Sequence, residues 1–255
     1  MRQRDLAILA TLAVGLVAGR ASAQSTGADK SGNWNDSTVW SSGVPTSSST
    51  VYIGSTSYAT SATVTLTADE SSGNLYLGDG SGTSGTLDLA GHKLSLGNAT
   101  LSIGQNGSTG TLNEQGGSFS AGGLSIQGAN SLTLGSGDVV STVALQSGAS
   151  LTTAASTNIS GNVNVFGGST LNLGAALNLG SNTLDVRDSG SVVNMNGHDI
   201  TANTLDLGYY NSSAVTLDRG AGTPGTLDVG NLGLGNKMVL ALISGDTVAN
   251  VTVAG

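Results

Sequence analysis

The stretch "STLNLGAALNLGSNTLDVRDSGS", residues 169–191, decides the fold. Leu171 and Leu173, Leu177 and Leu179, and Leu184 and Val186 come as pairs with one polar residue between them. Gly, Asn, Ser and Ala separate the pairs. Alternation with period two buries one face of a β-strand. The intervening Gly-Ser and Gly-Asn steps permit the positive φ of tight corners. A helical reading needs apolar residues at 3.6 spacing over a dozen positions, and no segment beyond residue 24 has it.

The same pairs recur along the chain. One series starts at Leu75, Leu94, Leu112, Leu132, Leu151, Leu171 and Val192; a second starts at Leu101, Leu124, Val143, Val163, Leu184, Leu205 and Leu227. Both advance by about 20 residues per step, and self-similarity at such a period marks a solenoid. The expectation is an all-β, parallel β-helix of about 20 residues per coil, with coils stacked about 4.8 Å apart. Leu171 is expected inside, between Leu151 and Val192. Asn164, Asn172 and Asn178 are candidates for stacked side-chain ladders. The step of 14 from Leu87 to Leu101 falls outside the period. An antiparallel sandwich also reads as short strands with turn signals. It does not naturally hold two registers over six steps.

Three regions follow. Residues 1–23 read as a secretory signal peptide: Arg2 and Arg4, an apolar run from Leu6 to Gly19, and the small-x-small site Ala21-Ser22-Ala23. The run is short of the roughly 20 residues that span a bilayer. Residues 24–60 carry Trp34, Trp40, Pro45, Tyr52 and Tyr58 and suit a cap over the first coil, which would otherwise expose strand edge. Residues 61–255 hold the repeats, ending in an apolar, strand-like tail that either folds back on the last coil or continues in a longer protein.

Composition narrows the function classes. Gly contributes 40 of 255 residues, Cys none, and hydrophobic residues 38%. The apolar content is patterned, so the Gly-rich chain is not a disordered linker. Without Cys, stability must come from the core. The leader holds Arg2, Arg4, Arg20 and Asp5, which leaves 15 acids against five bases and a net charge of −10. Such a chain cannot neutralise a phosphate backbone, which excludes nucleic acid as a partner.

"GNWNDSTVWSSGVPTSSSTVYIG" resembles the opening of many exported bacterial right-handed β-helix proteins. "LDLAGHKLSLGNATLSIG" (87–104) and "VVNMNGHDITANTLDLG" (192–208) resemble repeats of autotransporter passengers and of autotransporter-associated β-strand repeat proteins. The resemblance implies a right-handed parallel β-helix displayed outside the cell. It transfers no catalytic residue.

Chemistry is sparse. Asp185 and Asp188 flank Arg187, and Asp206 and Asp218 lie about one coil on, near Arg219. Asp185 and Asp206 could stack on adjacent coils, the best acidic pair available to a polysaccharide lyase or hydrolase. The plainer expectation is a solvated turn with a local Arg–Asp pair. His92 and His198 each follow Gly in a corner, too many coils apart to share a metal. Thr63, Thr65 and Thr67 do not repeat at coil spacing in the sequence, which argues against an ice-binding face. No catalytic, cofactor-binding or metal residue is assigned and no cofactor is expected. The reading is a secreted or cell-surface structural or adhesive β-solenoid, non-enzymatic, with surface polysaccharide as the candidate partner. A polysaccharide-degrading β-helix enzyme and a fragment of an autotransporter passenger are the alternatives. N-terminal sequencing of exported protein should find Gln24 first; an intact Met1 on soluble exported chain would refute the leader.

Overall fold

A computed structural model describes residues 24–154, 158–210, 213–236 and 238–254. The proposed leader, residues 1–23, lies outside them. The described chain is all-β, a parallel solenoid of about ten turns. Adjacent parallel strands lie about 4.8 Å apart, so ten turns span roughly 45 Å.

One ladder runs the whole length. It begins at Ser25–Gly27 and passes through Thr50–Ser55, Leu75–Asp79, Thr100–Gln105, Ser118–Gln127, Val139–Gln146, Val163–Val165, Thr183–Val186 and Ile200–Leu207 to Leu227–Leu234 and Thr247–Val253. Every pairing between them is parallel and in register. Its inward column is Val51, Leu75, Leu101, Leu124, Val143, Val163, Leu184, Leu205 and Leu232, all buried. The second series read from sequence therefore stacks as expected from Leu101 to Leu205. At the next coil it slips, because Leu205 pairs with Leu232 while Leu227 pairs with Ile200.

The first series needs correction. Leu132, Leu151 and Leu171 do stack. Leu171 then meets Val193, not Val192, which pairs outward with Thr170. Leu75 belongs to the long ladder and pairs with Leu101. Leu94 pairs with Phe119. Leu112 pairs with Leu87, which pairs with Val64. Three different faces of the coil had the same L-x-L signature, and spacing alone merged them. The step of 14 from Leu87 to Leu101 is the path from one face to the next within a coil. The mean turn is about 23 residues, longer than the 20 expected. The excess sits mainly in the N-terminal coils, where Val51 to Leu75 and Leu75 to Leu101 exceed the steps of the middle.

Corners explain the glycines. Ala90-Gly91, Asn106-Gly107, Gln115-Gly116, Ser147-Gly148 and Asn196-Gly197 all take two successive positive φ values, near 50° and then near 85°. Each is closed by a backbone bond from the following residue to the residue before the pair, as in His92 N–H to Leu89 O at 2.8 Å. That is the type I′ turn, whose second position strongly favours Gly. The "GH" pairs are thus corners, as read.

The first coil is closed by the tryptophans. Trp34 and Trp40 are buried and meet edge to face at 5.1 Å. The Trp40 indole donates to the Trp34 carbonyl at 2.6 Å. The Asn ladder forms only in part. Asn194 donates to Asn172 at 2.7 Å. Asn164 reaches the Val143 carbonyl and Asn178 caps its own turn at Gly180. No helix among the described residues is long and apolar enough to cross a membrane.

Leu171 is fully buried and Thr170 points outward from the same strand. Leu171→Asp should cost at least the 2–5 kcal/mol typical of losing a buried Leu, with an unpaired charge added. Thr170→Asp should stay within about 0.5 kcal/mol. Urea melts of both variants check the register, and equal losses would contradict it.

Candidate functional site

The outward face of the long ladder carries the stacked tyrosines and the Asp185–Asp206 pair. Between the inward columns runs an outward one: Tyr52, Tyr76, Ser102, Ser125, Ala144, Asn164, Asp185, Asp206, Gly233 and Thr252. At one end Tyr52 and Tyr76 stack at 4.9 Å with planes 8° apart. Tyr58 leans on Tyr52 at 5.8 Å. Tyr52, Tyr58 and Asp79, with Ser25, Ser55 and Ser57, line a hollow of about 200 Å³. Burial, followed by the neighbouring Tyr76 and Asp79, pushes the Tyr52 phenol up.

At the other end Asp185 and Asp206 pair in register, as the period suggested. They are not solvated turn residues. They sit on strands, 4% and 6% exposed. Arg187, just past the end of the Asp185 strand, ion-pairs with Asp185. Its guanidinium lies 5.0 Å from the Phe166 ring centre and 4.1 Å from that of Tyr210. A cation between two rings in a partly dry setting is held by their quadrupoles. The bond to Asp185 raises the Arg187 pKa. Burial, reinforced by Asp185, raises that of Asp206, while Arg187 and the Tyr210 hydroxyl pull it back. Gly233 takes the next position because a Cβ there would come within 2.1 Å of Asp206 Oδ1. Tyr210 is 62% exposed, leaving most of its ring to solvent.

The other candidates separate from this site. Asp188 binds the Gly167 N–H of the preceding coil at 2.9 Å. Asp218 lies on another face, paired in register with Asn194. Arg219 is bound two-fold to Asp246, at 2.9 and 2.8 Å, and to the Gly225 carbonyl. His92 approaches Asp69 at 3.8 Å. Thr63, Thr86 and Thr111 form a coil-spaced column, but Thr65 continues into Asp88 and Asn113, so the Thr-x-Thr pair does not recur from coil to coil, as the sequence indicated. Among the described residues no three His, Cys, Asp or Glu side chains are grouped to hold a metal.

Sequence reasoning missed two features. The tyrosine stack was signalled by "VYIG" at 51–54 and "LYLG" at 75–78. Glu114 and the fully buried Asp138 come together beside an open cleft of about 620 Å³ lined by residues of 112–115 and 131–135. Burial first, and Asp138 second, push Glu114 up to about 8.

No protein-family model matches the chain, and neither does any curated protein or solved structure.

Replacing Arg187 with Met strands two facing carboxylates. The loss should be about 2 kcal/mol at pH 7.5, between that of an exposed and of a buried pair. It should shrink towards pH 4, because Asp206, already raised by burial, takes up a proton there and ends the repulsion. Urea melts at the two pH values decide; a pH-independent loss would mean that Arg187 acts through packing alone.

Proposed function

We propose that this chain is a secreted or cell-surface adhesive scaffold of the autotransporter-passenger type, which holds neutral polysaccharide on the outward face of its long ladder and performs no covalent chemistry on it. The observation that carries the reading is the arrangement of that one column. Stacked tyrosines stand at its start and the Phe166–Arg187–Tyr210 sandwich stands five to seven coils on. Hydroxyl, amide and methyl side chains lie between them. Aromatic faces with planar polar neighbours suit sugar rings. The acidic chain, with Asp79, Asp185 and Asp206 on this face, disfavours acidic polymers. Export rests on the leader-like N-terminus.

The enzymatic alternative draws on one observation, the Asp185–Asp206 register. Adjacent coils put such residues about 5 Å apart, a spacing retaining glycosidases use. Two facts weigh against it. Both carboxylates are nearly buried, and Arg187 clamps one of them.

Purified residues 24–255 should co-sediment with insoluble neutral polysaccharides and bind acidic ones less. Tyr76→Ala and Tyr210→Ala should each weaken binding about 2- to 10-fold, the worth of an aromatic contact. Neither protein nor variants should release reducing ends or unsaturated products. Binding indifferent to both tyrosines would refute the face. Hydrolysis abolished by Asp185→Asn or Asp206→Asn would replace the scaffold with an enzyme.

A further inference from the structure

On one face of the solenoid the ladder is interrupted. The strands Gly32–Asn33, Ser61–Thr65, Ser84–Asp88 and Thr109–Asn113 form one sheet, and Ser131–Leu134 starts another. Thr109–Asn113 and Ser131–Leu134 approach each other without pairing. The cleft opens between these two unpaired edges, while behind it Ser118–Gln127 continues the long ladder unbroken. The seam is tied at both ends by side chains. At one end Asn130 takes the place of a backbone partner. Its oxygen accepts the Gly110 N–H at 2.8 Å and its amide donates to the Ser108 carbonyl at 3.0 Å. At the other end Asp138 accepts the Phe119 N–H at 2.8 Å and the Gly135 N–H at 2.7 Å. Its remaining neighbour is the carboxyl of Glu114: Glu114 Oε2 and Asp138 Oδ2 converge beside Gly135, 2.8 and 3.6 Å from where a Cβ would stand.

The chain builds this corner twice. Ser136-Gly137-Asp138 and Ser244-Gly245-Asp246 are the same tripeptide. Asp246 accepts the Leu227 N–H at 2.9 Å and the Ile243 N–H at 2.8 Å, with the offsets found at Asp138. The third partner differs: Arg219 at the second corner, Glu114 at the first. A guanidinium satisfies a carboxylate at any ordinary pH. A second carboxyl does so only while it carries a proton. We propose that Glu114 and Asp138 form a proton-dependent latch that holds the two edges of the seam together, and that loss of the shared proton parts them and widens the cleft between residues 109–115 and 131–135.

Among the described residues, none packed against this corner offers a substitute cation. From the preceding coil the charged groups are Asp88, in register with Asn113, and His92 and Lys93, beside Ser118. His92 is turned to Asp69, and Lys93 is exposed. One buried Glu114 oxygen has no partner, so the ionised form gains nothing there. The sign follows from the raised pKa. An ordinary carboxyl ionises near 4.5, Glu114 near 8. Between those values the closed state holds a proton that the opened one releases. Closure is therefore complete at low pH and is lost as pH rises through about 8.

Hydrogen exchange on residues 24–255, corrected for intrinsic base catalysis, tests the latch at pH 7 and pH 9. Exchange at 111–115 and 131–135 should rise about tenfold in the wild type, the factor for one proton with a pKa near 8. The Asp246 corner in the same sample should stay flat. Glu114→Gln keeps a donor at every pH and should abolish the rise. Glu114→Arg copies the second corner and should hold the seam closed at pH 9. A flat wild-type seam, or a rise that persists in both variants, would overturn the proposal.

Discussion

Everything in this molecule depends on one constraint: each coil leaves an open strand edge that only the next coil can satisfy. Strand N–H and C=O groups point along the solenoid axis, so a single coil buries almost no backbone bonds and few apolar groups. Stacking resolves both at once. The register that pairs Leu184 with Leu205 on the inside also pairs Asp185 with Asp206 on the outside. Core and surface chemistry are therefore one decision. A slip of one residue would put carboxylates into the Leu column.

Stacking also creates a polar debt at the corners, where the chain turns and the ladder stops. It is met with Asn and Asp. Asp69 accepts the Lys93 N–H, Asn74 that of Thr100, Asn162 that of Thr183 and Asp199 that of Thr226, each across adjacent coils at 2.8–3.0 Å. These short side chains carry planar acceptors that copy a carbonyl. Many of the acids are thus structural ties, which explains why an acidic chain with few bases is not riven by repulsion. The ties pull Asp199 below the usual carboxylate range through the Thr226 backbone and hydroxyl. Asp246 is also lowered, because Arg219 and two backbone N–H groups outweigh its burial.

The fold was legible because a buried ladder writes a two-residue alternation into the sequence at each turn, and Gly marks each corner. The middle coils, with their steadiest spacing, were read in register from Leu101 to Leu205. Face identity was not legible. Leu94, Leu112 and Leu75 carry the same signature, and only the count of residues around a corner distinguishes them. The Asp185–Asp206 pair was visible in the spacing, but its burial was not. That depends on Phe166 and Tyr210 closing over Arg187, contacts set by side chains on three coils. Glu114 was invisible because its environment comes from a missing strand pairing, which no local pattern records. The repeated Ser-Gly-Asp was the available signal.

The two ends show what an unsatisfied edge costs. At the start, Trp34 and Trp40 turn their rings inward and Ala28 bridges to Trp40, so the first coil meets protein. At Thr247–Val253 the last described strand pairs on one side only, and Val251 and Val253 are 55% and 61% exposed. Val239 and Leu242 nearby are 92% and 52% exposed. Within the interior the same problem arises at the Thr109–Asn113 edge, and there it is met by Asn130 and the Glu114–Asp138 pair rather than by apolar cover. An edge closed by burial is fixed, whereas an edge closed by a shared proton answers to its medium. Among the described residues the same unpaired groups thus meet three fates: cover by tryptophans, exposure at Thr247–Val253, and closure by a shared proton at the seam.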